Sequence, residues 1–439
     1  MAEARAVPGQ PRQLRLDRPP DRPARGPHGA AHRGPGPRRE GGDGAAQAHA
    51  REGAELPLRH QEHALSASEL VPFRHLYVHV PFCRHKCGYC DFNAYAGMDR
   101  LMPDYQAALE RELEHARETL PFGTLRTVYF GGGTPSLLPA ELAARMLAHI
   151  RAVFTVESDA EVTLEANPAS TDPEKLAAWR AGGVNRLSLG VQGFDRRALA
   201  VLERRTDGAQ AERALAEARA AGFDNVSLDL IYGVPAQAPE AWADTVARAA
   251  ALGPEHLSCY CLTFEAGTLL TRRRDRGQLA EVDPDAQWEQ LDAADRLLAA
   301  AGFERYEVSS WARPGHRSRH NQAYWDCRPV YGAGAGAHSY ATDGERAWRW
   351  WNVARPREYA AAAAAGRVEE DREDLPPDRA RAERVMLGLR TAAGLEPPAG
   401  FERPLDALVE AGLLTRDGRR YAPTRRGLDL NNQVALAVL

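Results

Sequence analysis

The sequence predicts an α/β protein: a partial (β/α)6 barrel of the TIM type, followed by a C-terminal winged-helix-like α+β domain. Six short β-type runs recur along the chain, each followed by a stretch of helical periodicity. Regular alternation of this kind makes parallel strands joined by right-handed crossovers. Polar residues fall at the same end of successive runs, where a parallel barrel opens its mouth. Beyond residue 346 the alternation stops and a helix followed by a small hairpin takes over.

The β-runs are Leu76–Val80, Thr127–Phe130, Val162–Glu165, Leu187–Val191, Val226–Ile231 and Leu257–Leu262. Between them, Tyr105, Leu109, Leu113 and Ala116 recur at helical spacing, and Pro173–Ala181, Ala209–Ala221 and Pro239–Leu252 read as helices. Six units close only part of a barrel. Near Arg346 an alanine-rich stretch, Ala360–Ala365, leads into an acidic linker ending at Pro376 and Pro377. Residues 405–414 then read as a helix and 415–423 as a hairpin turning at Asp417-Gly418. The expected division is a disordered low-complexity extension over 1–66, a barrel over 67–345, and linker plus winged-helix-like domain over 346–439.

Residues 1–66 are rich in Pro, Gly, Arg and Ala with hardly a large apolar residue, so burial cannot offset the entropy of ordering them. This segment is expected to be dispensable. Its arginines are followed by no apolar run of the kind a secretory signal needs, and a cytoplasmic protein is expected. The formal net charge of −4 provides no basic field for nucleic acid, and the arginines of the C-terminal module (Arg416, Arg419, Arg420, Arg425 and Arg426) are offset by acids. Neither RNA nor DNA is expected as a partner.

Of the six cysteines, Cys83, Cys87 and Cys90 sit on one loop directly after the first strand, as C-x3-C-x2-C. Three thiolates so spaced can each ligate a different iron of a cubane cluster and leave the fourth iron open. The spacing alone also admits a structural zinc completed by His79 or His85. Cys259, Cys261 and Cys327 read as buried small residues. The second strand ends in Gly131-Gly132-Gly133-Thr134-Pro135, where glycines let a ligand approach the backbone. Glu165, Gln192, Asp229 and Thr263 end the next four strands and converge on the same mouth. Asp229 suits a diol, because a carboxylate accepts from both hydroxyls. Arg204 is either a fork for a ligand carboxylate or a solvated helix arginine beside Arg205.

The cysteine motif, with Tyr89 before its third cysteine, resembles the radical S-adenosylmethionine (SAM) superfamily. From Leu76 to about Tyr340 the chain resembles the oxygen-independent coproporphyrinogen III oxidase family, on Tyr77-Val-His-Val-Pro-Phe-Cys83, Gly131-Gly-Gly-Thr-Pro135, Leu189-Gly-Val-Gln192 and Asp229-Leu-Ile-Tyr-Gly233. The resemblance implies a [4Fe–4S] cluster on Cys83, Cys87 and Cys90, with SAM chelating the open iron and an electron donor feeding the cluster. It implies a SAM pocket of Tyr77, Gly132, Gly133, Thr134, Glu165, Gln192, Arg204, Asp229 and Thr263. Three departures separate the chain from the oxidases. Phe92 stands where they carry a further cysteine, the low-complexity tail replaces their ordered N-terminal segment, and His320-Asn-Gln-Ala-Tyr-Trp325 and Met386-Leu-Gly-Leu-Arg390 resemble the HemW branch of heme chaperones. That branch implies heme as a bound partner, His320 or His338 as a candidate axial ligand, and heme-accepting membrane respiratory proteins as recipients. Decarboxylation of coproporphyrinogen III is the alternative activity.

Overall fold

The computed structural model of the chain describes residues 68–439, and the extension expected over 1–66 lies outside them. All six expected runs are strands. β1 (Phe73–Val80) leads into the short pair β2 (Phe82–Cys83) and β3 (Tyr95–Ala96), and β4 (Phe122–Gly132), β5 (Val156–Ala166), β6 (Arg186–Gln192), β7 (Val226–Tyr232) and β8 (His256–Cys261) follow. β1, β4, β5, β6, β7 and β8 are neighbours in that order and all parallel. This is the partial (β/α)6 barrel.

Side chains alternate between the two faces of a strand, and the barrel strands use the two faces differently. In β6 and β7, Leu187, Leu189, Leu228 and Leu230 are fully buried in the apolar core. Trp179 of the helix Pro173–Ala181 and Trp242 of Pro239–Ala251 belong to that core. The intervening Arg186, Ser188, Ser227 and Asp229 point into the barrel. Helix starts are fixed locally: Asp172 accepts from Lys175 N at 2.9 Å, and Asp207 with Gln210 forms a reciprocal cap on Gly208–Ala220.

The sheet runs on at both ends beyond the expected six strands. β9 (Glu304–Glu307), β10 (Ser310–Ala312), β11 (Val330–Ala333), β12 (His338–Thr342), β13 (Ala347–Asn352) and β14 (Glu369–Leu375) complete a twelve-stranded sheet ordered β14-β13-β12-β11-β1-β4-β5-β6-β7-β8-β10-β9. The linker expected from residue 346 is therefore corrected. Ala360–Ala364 belong to the helix Pro356–Ala364, which packs on Met102–Thr119, and the acidic run is β14. Burial explains the misreading, since only Leu375 of β14 is buried and no apolar alternation marks it as a strand.

Glu112, on the helix Met102–Thr119, ties this extension to the barrel. Its buried carboxylate accepts from Tyr331 Oη at 3.0 Å, Gly334 N at 2.9 Å, Asn352 Nδ2 at 2.7 Å and the Tyr359 hydroxyl.

The C-terminal module starts at Pro377 and has its own core, centred on Val385, Leu389, Leu405, Tyr421 and Val434. A helix (Glu402–Glu410) and the hairpin of β15 (Leu414–Asp417) and β16 (Arg420–Pro423) stand where they were expected. Arg416 pairs with Asp406 at 2.8 Å, Arg420 donates to Ala393 O at 3.1 Å, and Arg425 contacts Asp292 and Asp295. Glu307 of β9 bridges Thr391, and the Arg305–Asp429 pair at 2.5 Å is nearly dry. No helix among the described residues is long and apolar enough to cross a membrane.

Candidate functional site

A cavity of about 540 Å³ opens at the C-terminal ends of the barrel strands. Its wall includes Cys83, Cys87, Cys90, Gly132, Gly133, Thr134, Glu165, Gln192, Arg204, Asp229 and Thr263. Every expected site residue except Tyr77 is therefore gathered there. Tyr77 lies deeper, its ring against Tyr129 and His320 and its hydroxyl 3.0 Å from His79 Nδ1.

The cysteine loop is pinned from behind. Cys83 ends β2, Cys90 N donates to Cys87 O at 3.1 Å, and β3 pairs with β2 on the far side of the loop. Asn93 Nδ2 donates to both Ala335 O and Ala354 O at 2.9 Å, and His79 Nε2 lies 2.9 Å from Asn93 O. Both nitrogens of His79 are thus occupied, which takes it out of the zinc alternative. Among the described residues no three His, Cys, Asp or Glu side chains gather closely enough to hold a single ion. Burial pushes the Cys83 and Cys90 thiols up, to about 11 for Cys90, so the apolar setting alone favours the protonated form. Thiolate there needs a cationic partner such as iron.

The glycine run has a steric cause. Gly132 has φ 110°, and a Cβ on it would lie 2.4 Å from the His79 ring; one on Gly133 would lie 2.7 Å from Phe82 O. Thr134 Oγ1 stands 3.4 Å from Cys83 Sγ. Glu165 accepts from Tyr129 Oη at 2.8 Å and Gly132 N at 3.1 Å, and burial, with the Asp229 charge nearby, pushes its carboxyl up to about 7. Gln192 has φ 68° at a register shift between β6 and β7, a left-handed conformation uncommon for a non-glycine residue. Arg204 is not a solvated arginine. It donates to Gly190 O and reaches Cys87 Sγ at 3.7 Å, whereas Arg205 is exposed.

Asp229 is held by a directed chain. Ser188 Oγ donates to Oδ2 at 2.9 Å and Ser227 Oγ to Oδ1 at 3.2 Å. With its one hydrogen committed, Ser227 accepts from His256 Nδ1 at 2.8 Å, so the imidazole carries its proton on Nδ1 and Nε2 accepts from Tyr306 Oη at 2.9 Å. Burial holds His256 well below the ordinary imidazole range, keeping it neutral.

Tyr129, Arg186, Ser188, Ser227 and His256 were absent from the expected site. Period-two polarity in Arg186-Leu-Ser-Leu and Val226-Ser-Leu-Asp exposes the inward positions of β6 and β7, but attention to strand ends alone passes over them. Of the imidazoles considered for heme, His320 is 1% exposed inside the barrel, with Nδ1 2.7 Å from Thr127 Oγ1. Its Nε2 is buried without a hydrogen-bond partner, and the ring is not among the residues that line the cavity. His338 is exposed and stacks on Trp351, ring centroids 5.5 Å apart. Cys259 is buried as expected; Cys261 and Cys327 instead are half-buried, and Cys261 lines the cavity.

Residues 77–249 match the profile described as the Radical SAM superfamily. A heme chaperone HemW of Mycobacterium tuberculosis is 43% identical over 371 residues, covering 83% of this chain and 94% of the relative. The chain belongs to the HemW branch of the radical SAM superfamily. HemW of Bacillus subtilis is 33% identical over 376 residues, 83% of this chain and 98% of the relative. Among solved structures, the radical SAM enzyme coproporphyrinogen III oxidase (HemN) of Escherichia coli superposes with a TM-score of 0.72 at 24% identity, over 85% of this chain and 92% of that one. That likeness carries the fold of this HemW-type chain.

Proposed function

We propose that the chain is a heme chaperone: it binds heme, holds a [4Fe–4S] cluster on Cys83, Cys87 and Cys90 with SAM in the adjoining cavity, and passes heme to membrane respiratory acceptors. The observation that carries this reading is the similarity to a heme chaperone across 83% of this chain and 94% of the relative. When bound, the cluster would supply an open iron for SAM and an electron received from a donor protein. The chain's own residues then have distinct tasks. Asp229, oriented by Ser188 and Ser227, accepts from a ribose diol; Glu165 and the Gly132 and Gly133 backbone face an ammonium and its neighbours; Arg204 braces Cys87 and the Gly190 carbonyl.

Anaerobic reconstitution followed by titration with heme tests this reading, with coproporphyrinogen III, SAM and reductant offered in a separate reaction. A tight Soret shift with no decarboxylated product is the expected result. Product formation without heme binding would instead identify an oxidase.

A further inference from the structure

The floor of the cavity holds a cation without a partner. Arg186 opens β6, is 2% exposed, and lines the cavity two and four residues below Ser188 and Gly190 on the same inward face. Glu161 and Asp229 are the carboxylates whose charge it feels. Each already takes its hydrogen bonds elsewhere. Glu161 accepts from Arg319 N at 2.9 Å and His320 N at 3.0 Å, so its charge is absorbed by the start of the helix Arg319–Trp325. Asp229 is held by Ser188, Ser227 and Ser258. Among the described residues the Arg186 guanidinium makes no hydrogen bond or ion pair, and its Nε is buried without an acceptor.

The part-buried arginines Arg305 and Arg204, whose Nε atoms also lack an acceptor, are matched through their other nitrogens. Arg305 donates to Asp429 and to Val308 O, and Arg204 to Gly190 O and Cys87. A buried guanidinium with open donors is costly unless something enters to accept from them. Its rigid planar fork fits a carboxylate, which takes two parallel N–H bonds. A phosphate dianion fits less well, because Glu165 and Asp229 line the same cavity and would repel the second charge.

We propose that Arg186 is a ligand-binding residue, gripping a carboxylate carried by the molecule that occupies this cavity. The proposal rests on the heme-chaperone reading for its two candidate donors of that group, a propionate of heme and the aminoacyl carboxylate of SAM. Both present the same chemistry to the fork.

Paired ligands separate them. Full-length cluster-loaded protein, wild type and Arg186→Gln, is titrated with heme against heme dimethyl ester, and with SAM against decarboxylated SAM. The wild type should prefer the carboxylate-bearing member of one pair, and in Arg186→Gln that preference should fall by about tenfold to a hundredfold; for SAM some preference remains, because its aminoacyl group also meets the open iron. The pair that responds names the source. Arg186→Lys keeps the charge but not the fork, so it should recover only part of the preference, and it serves if the glutamine variant does not fold. If the preference is undiminished in the variants, the proposal is overturned. If the wild type binds neither pair, the chaperone reading fails first, and sodium propionate as a bare probe decides the rest. A shift of the Arg186 Nε–H NMR signal on adding propionate sustains the site; no shift overturns it.

Discussion

At the scale of single residues, the site divides into groups that meet iron and groups that meet an organic ligand, and substitutions should separate them. Replacing Cys83, Cys87 and Cys90 together with alanine should abolish cluster assembly, while Cys259→Ala and Cys327→Ala should leave it intact, as read by iron and sulfide content. Asp229→Ala and Glu165→Ala should keep the cluster's absorbance but weaken SAM binding by about tenfold to a hundredfold, the value of a hydrogen bond to a charged group. Unchanged SAM affinity in both would remove these residues from the site. The chain behind Asp229 offers a subtler check. Ser227→Ala deletes the acceptor that keeps the proton on His256 Nδ1, so nitrogen-15 NMR should show the imidazole losing its single Nδ1–H tautomer while the fold persists. The strand-end residues were legible in the sequence because parallel strands deliver their termini to one mouth. Arg186 and His256 were not, because their significance lies in what they do or do not touch.

Secondary-structure elements were legible in proportion to how much apolar surface each one buries. The six barrel strands and the helices between them announce themselves by runs of Leu, Val and Ala. β9 to β14 do not: β9 to β12 are only three to five residues long, no helical unit leads regularly from one to the next, β11 lies parallel to β1 while the others pair antiparallel, and β14 is written almost wholly in charged residues. What fastens the β11 and β13 region to the barrel is polar and equally silent in the sequence. Glu112 receives four hydrogen bonds from two strands, a loop and a helix, all far from it along the chain. Glu112→Ala would leave those donors buried and unmatched. It should destabilise the protein by about 3 kcal/mol or more, readable as a lower midpoint in urea, with the loss shared by β11, β13 and the helix Pro356–Ala364 in hydrogen exchange.

The whole molecule should respond to pH through groups the barrel buries. Burial lowers His75 to about 4 and His320 to about 3, so below 6.5 the unfolded chain takes up protons that the folded one refuses. Their stabilisation is complete above pH 6.5 and drains away as pH falls toward 4. Glu165 acts the other way: its folded pKa of about 7 exceeds the ordinary 4.5, so its contribution falls as pH rises from 4.5 to 7. Thermal melts of cluster-free protein should therefore show Glu165→Gln gaining on the wild type between pH 5 and pH 7.5, by at most about 3 kcal/mol; a constant difference would contradict the shift. The C-terminal module depends on the Arg305–Asp429 pair, 6% and 10% exposed. Asp429→Ala strands a buried charge, at about 3 kcal/mol, and should make the segment after Pro377 sensitive to protease before the barrel is. An open sheet of twelve strands also has two borders where unpaired backbone could recruit another chain into fibrous stacking. At β9 the C-terminal module lies along the border, with Val308 N donating to Arg390 O and Ala392 N to Tyr306 O. At β14 the guard is electrostatic: Glu369, Glu370, Asp371, Glu373 and Asp374 turn the border into a line of like charge that repels its own image. Replacing those acids with Val and Thr should leave the monomer's melting point nearly unchanged and yet bring concentrated solutions to turbidity and thioflavin-positive assembly.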